Sequence, residues 1–370
     1  MRIGNIKISI LFAAAAVSFI YLSGCADNPP LTADGECMLE ITALGDISLN
    51  ADVSHYVPMA NAEVIMSSEY GIIECRTDEN GMLSLKNLPS SVYDINIKMR
   101  HPDNPAILIT GDLLKISVTA ARIFTDTLFA VQIAGTGIAI NEIYAAGPVN
   151  DFPYFYDQYI ELYNYSDETK YLDGMIVCRF HDITPIGGAG SDEGNDGDID
   201  GLTLASKFPG NPGEKNYPFE PHTFKVLAVL AIDHRERVPS SIDLSKADWE
   251  FYNPYGPNDF DNPNVPNIVN MLSDKKYDFS LNHLYDCLIL STGEDINFSD
   301  GLDISAILDG VEYKIDVTSS HMLDSRVDKS IIRNAANFSG QSLQRREPGY
   351  DTNNGILDWE IIPAPTPGRQ

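Results

Sequence analysis

The segment Asp196-Gly197-Asp198-Ile199-Asp200-Gly201 places three carboxylates at alternate positions on a glycine-punctuated backbone. That spacing can converge oxygen ligands on a hard cation such as calcium. Asp192 and Glu193, just upstream, could add to the set. A helix-flanked calcium loop needs a bidentate Glu at its last position. Lys207 stands there, and no helical pattern flanks the segment. The expectation is therefore at most a looser calcium site on Asp196, Asp198 and Asp200, weighed against a plain solvated acidic loop. Asn258-Asp259-Phe260-Asp261-Asn262 is a second, weaker loop of this kind.

Binding chemistry has a second candidate. The stretch from Asp151 to Tyr165 holds Phe152, Tyr154, Phe155, Tyr156, Tyr159, Tyr163 and Tyr165. Rings exposed on a loop can stack on sugars, haem or bases, and Tyr is favoured at interfaces. Tyr159 and Tyr163 alternate with Ile160 and Leu162, so one of those sets belongs to a core. Tyr154, Phe155 and Tyr156 remain as the candidate ligand-binding residues.

Catalytic chemistry is poorly represented. Glu142 and Glu161 fall on neighbouring predicted strands, the arrangement a two-carboxylate acid/base pair would need. The seven histidines show no HxH or HExxH spacing, which a metal or haem centre would favour. No GxSxG elbow, phosphate loop or dinucleotide fingerprint is present. The expected catalytic set is none, and the expected cofactor is none apart from calcium.

Residues 1–24 begin with Arg2 and Lys7, carry no acid, and continue as an apolar run from Ile8 to Leu22. This is a signal-peptide layout, too short and one-sided for a membrane span. It ends in Leu22-Ser23-Gly24-Cys25, which resembles a bacterial lipobox; the resemblance implies that Cys25 carries a lipid after cleavage. Residues 25–35 then read as a tether. Four cysteines follow: Cys37, Cys75, Cys178 and Cys287. In an oxidising compartment they could form two disulfides, with Cys37–Cys75 and Cys178–Cys287 the simplest pairing. Buried free thiols on strands are the alternative. No CxxC or Cys/His cluster suggests zinc.

The chain has 370 residues and a formal net charge of -28. Such acidity repels a phosphate backbone, so a nucleic-acid partner is excluded. It repels anionic lipid as well, so membrane attachment falls to the acyl chains. Hydrophobic residues at 44% and charged residues at 21% fit a globular body rather than a disordered one.

The positioning elements are strands. Tyr93 to Arg100 alternates apolar and polar, as do Leu39, Ile41 and Ala43. Asp78-Glu79-Asn80-Gly81 reads as the tight turn of a hairpin between Ile73–Thr77 and Met82–Leu85. Gly135-Thr136-Gly137 punctuates the chain, and alternation resumes from Ile138 to Tyr144. Further strands are read at Tyr159 to Asn164, Tyr171 to Val177, Phe224 to Leu230 and Cys287 to Ser291. Phe208 to Pro221 and Asn253 to Pro266 read as long ordered loops. The fold class is all-β: two immunoglobulin-like β-sandwiches in tandem, residues 36–134 and 135–370, the second with long loop insertions.

These motifs carry two family resemblances. Ala62-Glu63-Val64, Thr77-Asp78-Glu79-Asn80-Gly81, Leu88-Pro89 and Tyr93-Asp94-Ile95 are similar to carboxypeptidase-regulatory-like, prealbumin-type sandwiches. Ser90-Ser91-Val92 departs from their glycine-containing turn. The strands "INEI", "YIELYN" and "LDG", with Ser342 to Arg346, Asp358-Trp359 and Thr366-Pro367-Gly368, resemble a lamin-tail domain. That resemblance implies that Glu142 and Glu161 are structural. The segment is longer than such a domain needs, and the excess falls at about 178–302. The whole plan resembles an uncharacterised lipoprotein family of Gram-negative gut anaerobes, whose members accompany outer-membrane uptake receptors. The implied protein is a non-catalytic, lipid-anchored envelope lipoprotein, most simply in the outer membrane with its face open. It acts as a binding or scaffold module beside a nutrient-uptake receptor or a surface assembly. The alternatives are a surface adhesin or glycan binder, and a metal-dependent hydrolase with a site in the insertion.

Overall fold

A computed structural model describes residues 37–48, 54–103, 107–120, 122–133, 136–149, 154–180, 190–256, 260–317 and 320–370. Cys25, the tether, Phe152, His181, Asn258 and Asp259 lie outside them. The described chain is nearly all β, with one short α-helix at Gly355–Asp358.

The first sheet is built from β1 (Cys37–Asp46), β2 (Tyr56–Pro58), β3 (Glu63–Ser68), β4 (Gly71–Arg76), β5 (Met82–Leu88), β6 (Ser91–Arg100), β7 (Leu108–Val118) and β8 (Ile123–Ile133). Its order is β2-β1-β8-β7-β6-β3-β4, with β5 also paired to β1. β1 buries every second residue, as its alternation predicts. Leu39 and Ile41 of β1, Leu83 of β5, Val64 and Met66 of β3, and Ile95 and Ile97 of β6 share one core. The two halves of the sheet therefore face each other.

The predicted hairpin around Asp78–Gly81 is corrected. The turn exists: Gly81 N–H donates to the Asp78 carbonyl at 3.0 Å, and Asp78 Oδ1 accepts from the Asn80 and Met82 N–H groups. Gly81 has φ +72, and a Cβ there would stand 2.7 Å from the Ala43 carbonyl oxygen. The strands on either side do not pair with each other, however. β4 pairs with β3, and β5 pairs with β1. The turn carries the chain from one half of the sheet to the other.

The second sheet comprises β9 (Ile138–Tyr144), β10 (Tyr159–Asn164), β12 (Ile176–Phe180), β14 (Leu202–Lys207), β16 (Phe224–Ala228), β17 (Trp249–Tyr252), β18 (Asn267–Asn270), β19 (Tyr285–Ser291), β21 (Ile307–Lys314), β22 (Ile331–Arg333), β23 (Ser342–Arg345) and β24 (Trp359–Ile362). Two small ribbons join β11 (Lys170–Tyr171) to β15 (Pro218–Phe219) and β13 (Asp198–Ile199) to β20 (Leu302–Asp303). The stretch 178–302 is thus more than loop. It supplies the centre of the sheet, including β14, β17 and β18, which the sequence does not mark as strands. Phe208 to Pro221 and Asn253 to Pro266 do run mostly as irregular chain where described.

Covering loops bury both faces of this sheet. Its principal core runs through Ile140, Ile160, Leu227, Leu288 and Trp359. A second cluster around Cys178, Phe180 and Ile289 covers another part, and a third around Tyr144, Tyr159 and Val265 a further part. Double-sided burial explains why β9 and β12 are buried at every position.

Candidate functional site

β9 and β10 pair antiparallel with Glu142 opposite Glu161. Both side chains are fully buried. Two carboxylates at that distance repel unless donors surround them, and the chain's own C-terminus supplies the donors. Thr366 donates its N–H to Glu142 Oε1 at 3.0 Å and its hydroxyl to Oε2 at 2.8 Å. Gly368 N–H donates to Glu161 Oε2 at 2.6 Å. Asn141 donates to Glu161 Oε1 and to Gln370 Oε1, while Gln344 bridges Glu142 and Thr366. Burial pushes the Glu161 carboxyl up to about 8, against the pull of the Gly368 N–H. The pair therefore clasps the tail.

Beside the clasp lies Arg345, also fully buried. Its Nε donates to the Ile140 carbonyl at 2.7 Å, Nη1 to the Tyr350 carbonyl at 2.9 Å and Nη2 to Asp309 Oδ2 at 2.9 Å. Asp351 and Asp358 stand at 3.3 and 3.7 Å, and the Trp359 ring lies 5.0 Å away. One guanidinium thus ties β9, β21, β23 and the 350–358 segment together.

The tyrosine-rich stretch splits into a buried part and an exposed part. Tyr154 is buried, and its hydroxyl meets His234 Nδ1 at 2.7 Å. His234 Nε2 faces the Leu230 carbonyl at 2.9 Å. A carbonyl only accepts, so Nε2 carries the proton and Nδ1 accepts from the tyrosine. Tyr154 is therefore a structural anchor rather than a surface ring. Tyr156 is the ring that reaches outward, 45% exposed, with the half-buried Phe155 stacked on it at 5.0 Å. Phe155 also meets His283 edge-on at 5.2 Å, and His283 meets Phe338 at 5.3 Å. His283 Nδ1 donates to the Ala145 carbonyl at 2.8 Å. Phe155, Tyr156, His283 and Phe338 form one aromatic ledge.

Residues 220–295 match the DUF4876 family, described as proteins of unknown function. That segment holds β16 to β19, together with His234 and His283. A crystal structure of a DUF4876 family protein from Bacteroides thetaiotaomicron VPI-5482 is similar over 87% of this chain and 94% of that one, with a TM-score of 0.52 and 18% identity. At that identity the likeness concerns the fold. The Bacillus anthracis TIE protein aligns with 52% of this chain and 28% of its own, at 15% identity and a TM-score of 0.19; it carries no argument. No curated protein matches the chain.

The acidic loop is knitted internally. Asp192 accepts from the Asp196 and Gly197 N–H groups and from Arg326. Asp200 Oδ2 accepts from the Glu193 N–H. Asp198 sits opposite Asp303 in the small ribbon. Burial and then Asp196, Asp300, Asp303 and Asp295 push its carboxyl up. The sequence does not reveal this second source of acid, because residues 295–303 meet the loop only through the β13–β20 pairing. Among the described residues, no three His, Cys, Asp or Glu side chains gather as a metal cage.

Neither expected disulfide is formed, since Cys37, Cys178 and Cys287 are free thiols. Cys178 faces Ile289, and Cys287 faces Phe180. The two cysteines are thus diagonal neighbours, about 7–8 Å apart, and a bridge needs roughly 4.4–6.8 Å between Cα atoms. Cys37 pairs with Leu88 and Cys75 with Val64, on different strands of the first sheet.

The described cavity that joins the two sheets was not legible in the sequence. It has a volume of about 210 Å³ and gathers residues from β6, β7, β21 and the loops at 326 and 348–353. A smaller-walled recess on its flank shares Arg100, Leu108 and Tyr350 with it. Ion pairs lock the sheets beside it: Lys329 with Asp112, and Arg346 with Glu74.

Proposed function

We propose that this chain is a non-catalytic envelope lipoprotein, lipidated at Cys25, that works as a binding or scaffold module. Its body would be two immunoglobulin-like sandwiches, the first prealbumin-type and the second lamin-tail-like. Its setting would be the outer membrane, beside an uptake receptor or a surface assembly. One observation carries the non-catalytic part: the Glu142–Glu161 pair is saturated by Thr366, Gly368, Asn141 and Gln344. The binding face is the ledge of Phe155, Tyr156, His283 and Phe338, where the exposed Tyr156 is backed by three half-buried rings beside a sheet. Cross-linked pull-downs from envelopes should recover a partner with the native chain and lose most of it with Phe155→Ala plus Tyr156→Ala. Equal recovery by both would remove the ledge from the reading.

The exposed Tyr156 ring stacked on Phe155 also favours a second reading, a glycan-binding surface protein. A glycan array should then give signals that the same double substitution abolishes. Tyr154→Phe should keep those signals, because Tyr154 serves His234 rather than the surface.

A further inference from the structure

We propose that Thr366 and Gln344 join in an intramolecular ester, a covalent tie between the C-terminal tail and β23. This goes beyond the binding or scaffold reading and does not depend on it. It is a single self-modification of the chain, without turnover. The reaction needs a hydroxyl, an amide and an acid-base group in one dry site, and the clasp holds all three.

Strand pairing sets the amide beside the acid. Gln344 of β23 stands opposite Glu142 of β9. β24 pairs with β23 and ends at Ile362, and the chain beyond it brings Thr366 onto the same two residues. The Thr366 hydroxyl donates to Glu142 Oε2 at 2.8 Å and accepts from Gln344 Nε2 at 2.6 Å. Gln344 Nε2 also donates to Glu142 Oε2 at 3.2 Å. A carboxylate only accepts, so the hydroxyl hydrogen points at the acid and the oxygen lone pairs face the amide. Both partners of the amide nitrogen are acceptors, which fixes the orientation of the amide and sets its leaving group against the acid. Groups held this close react as if at effective concentrations on the order of 10⁵–10⁸ M once aligned.

The step balances without any co-reactant. Glu142 Oε2 takes the Thr366 hydroxyl proton as Oγ1 adds to Gln344 Cδ. The Cδ–Nε2 bond then breaks, and Glu142 passes the proton to the departing nitrogen, which leaves as ammonia. One amide and one hydroxyl become one ester and one ammonia, with no change of oxidation state. Water would hydrolyse the product, but Glu142 is fully buried and Gln344 is 5% exposed. Thr366 is half-buried, which leaves ammonia a route to solvent. Once diluted and protonated, ammonia does not return.

The test is mass spectrometry of a tryptic digest of the full chain. The peptides that carry Gln344 and Thr366 should appear joined, at their summed mass less about 17 Da, the ammonia lost. Hydroxylamine, which cleaves esters and spares peptide bonds, should separate them. Thr366→Ser should keep the link, because serine retains the hydroxyl. Thr366→Val should leave two separate peptides, and so should Glu142→Gln, which removes the base. Thr366 is a half-buried tail residue, so its variants remain informative if Glu142→Gln fails to fold. Separate peptides at full mass from the native chain would overturn the proposal and leave the contact as hydrogen bonding alone. A link that persists in Thr366→Val would overturn it as well, and native yield in Glu142→Gln would remove the role given to the acid.

Discussion

Replacing Arg345 with methionine is expected to lower the free energy of unfolding by about 3–5 kcal/mol, read by urea denaturation at neutral pH. The guanidinium is fully buried and holds Asp309, Asp351 and Asp358 within 2.9, 3.3 and 3.7 Å. Methionine matches its length and leaves those carboxylates without a cation. The Ile140 and Tyr350 carbonyls lose their donors in the same step. Even with Arg345 in place, burial pushes the Asp309 and Asp358 carboxyls up to about 7. Without it they would rise further, so the loss should shrink as the pH falls and the acids become neutral. Adding Asp309→Asn to Arg345→Met should recover part of the stability, because it removes one stranded charge. A cost below about 1 kcal/mol, within the range of an exposed ion pair, would show that the cluster is more solvated than its burial implies.

The strands were legible where burial is one-sided. β1 shows its core face as alternation because one face meets the core and the other does not, whereas the alternation of β6 marks its apolar face although its polar Asn96 and Lys98 are buried too. β17 and β18 show no such signal. They are four residues each and pair in parallel with each other and, for β17, with β16, a pairing that no tight turn announces in the sequence. The turn at Asp78–Gly81 was legible as a turn, but a local motif does not say which strands pair on either side. Tyr154 illustrates the same limit at the candidate site. Its residue type and neighbours match a surface ring, and only contact with the distant His234 makes it an anchor. The cleft is wholly non-local: Arg100, Asp309, Arg326 and Asp351 come together only after the two sheets pack. The hydrogen bonds that tie Glu142 and Glu161 to Thr366 and Gly368 were not legible in the pair itself, whose spacing alone suggests chemistry.

The stability of the native chain should fall between about pH 5 and pH 8, the reverse of what ion-paired carboxylates produce. Glu161 is pushed up to about 8, and Asp157 and Asp286 to about 6, in each case first by burial. The folded state therefore holds protons that the unfolded state releases near pH 4. A carboxyl raised in this way contributes stability that is present at low pH and is lost as the pH rises towards its folded value. For Glu161 the loss by pH 7 is on the order of 3 kcal/mol, at 1.36 kcal/mol per unit. Carboxyls shifted the other way, such as Asp46 at about 2, complete their titration below this window. His234 and His321, lowered by burial, oppose the trend only up to about pH 6.5, so the fall is steepest above it. Glu161→Gln imitates the protonated acid: it keeps an acceptor for the Gly368 N–H and removes the charge beside Glu142. The variant should match the native protein near pH 5 and exceed it at pH 8, with a flatter slope in denaturant midpoint between them. If the native midpoint instead rises through this range, or the variant keeps the native slope, the carboxylate is ionised in its clasp. The C-terminal tail would then be held by charge rather than by a neutral acid.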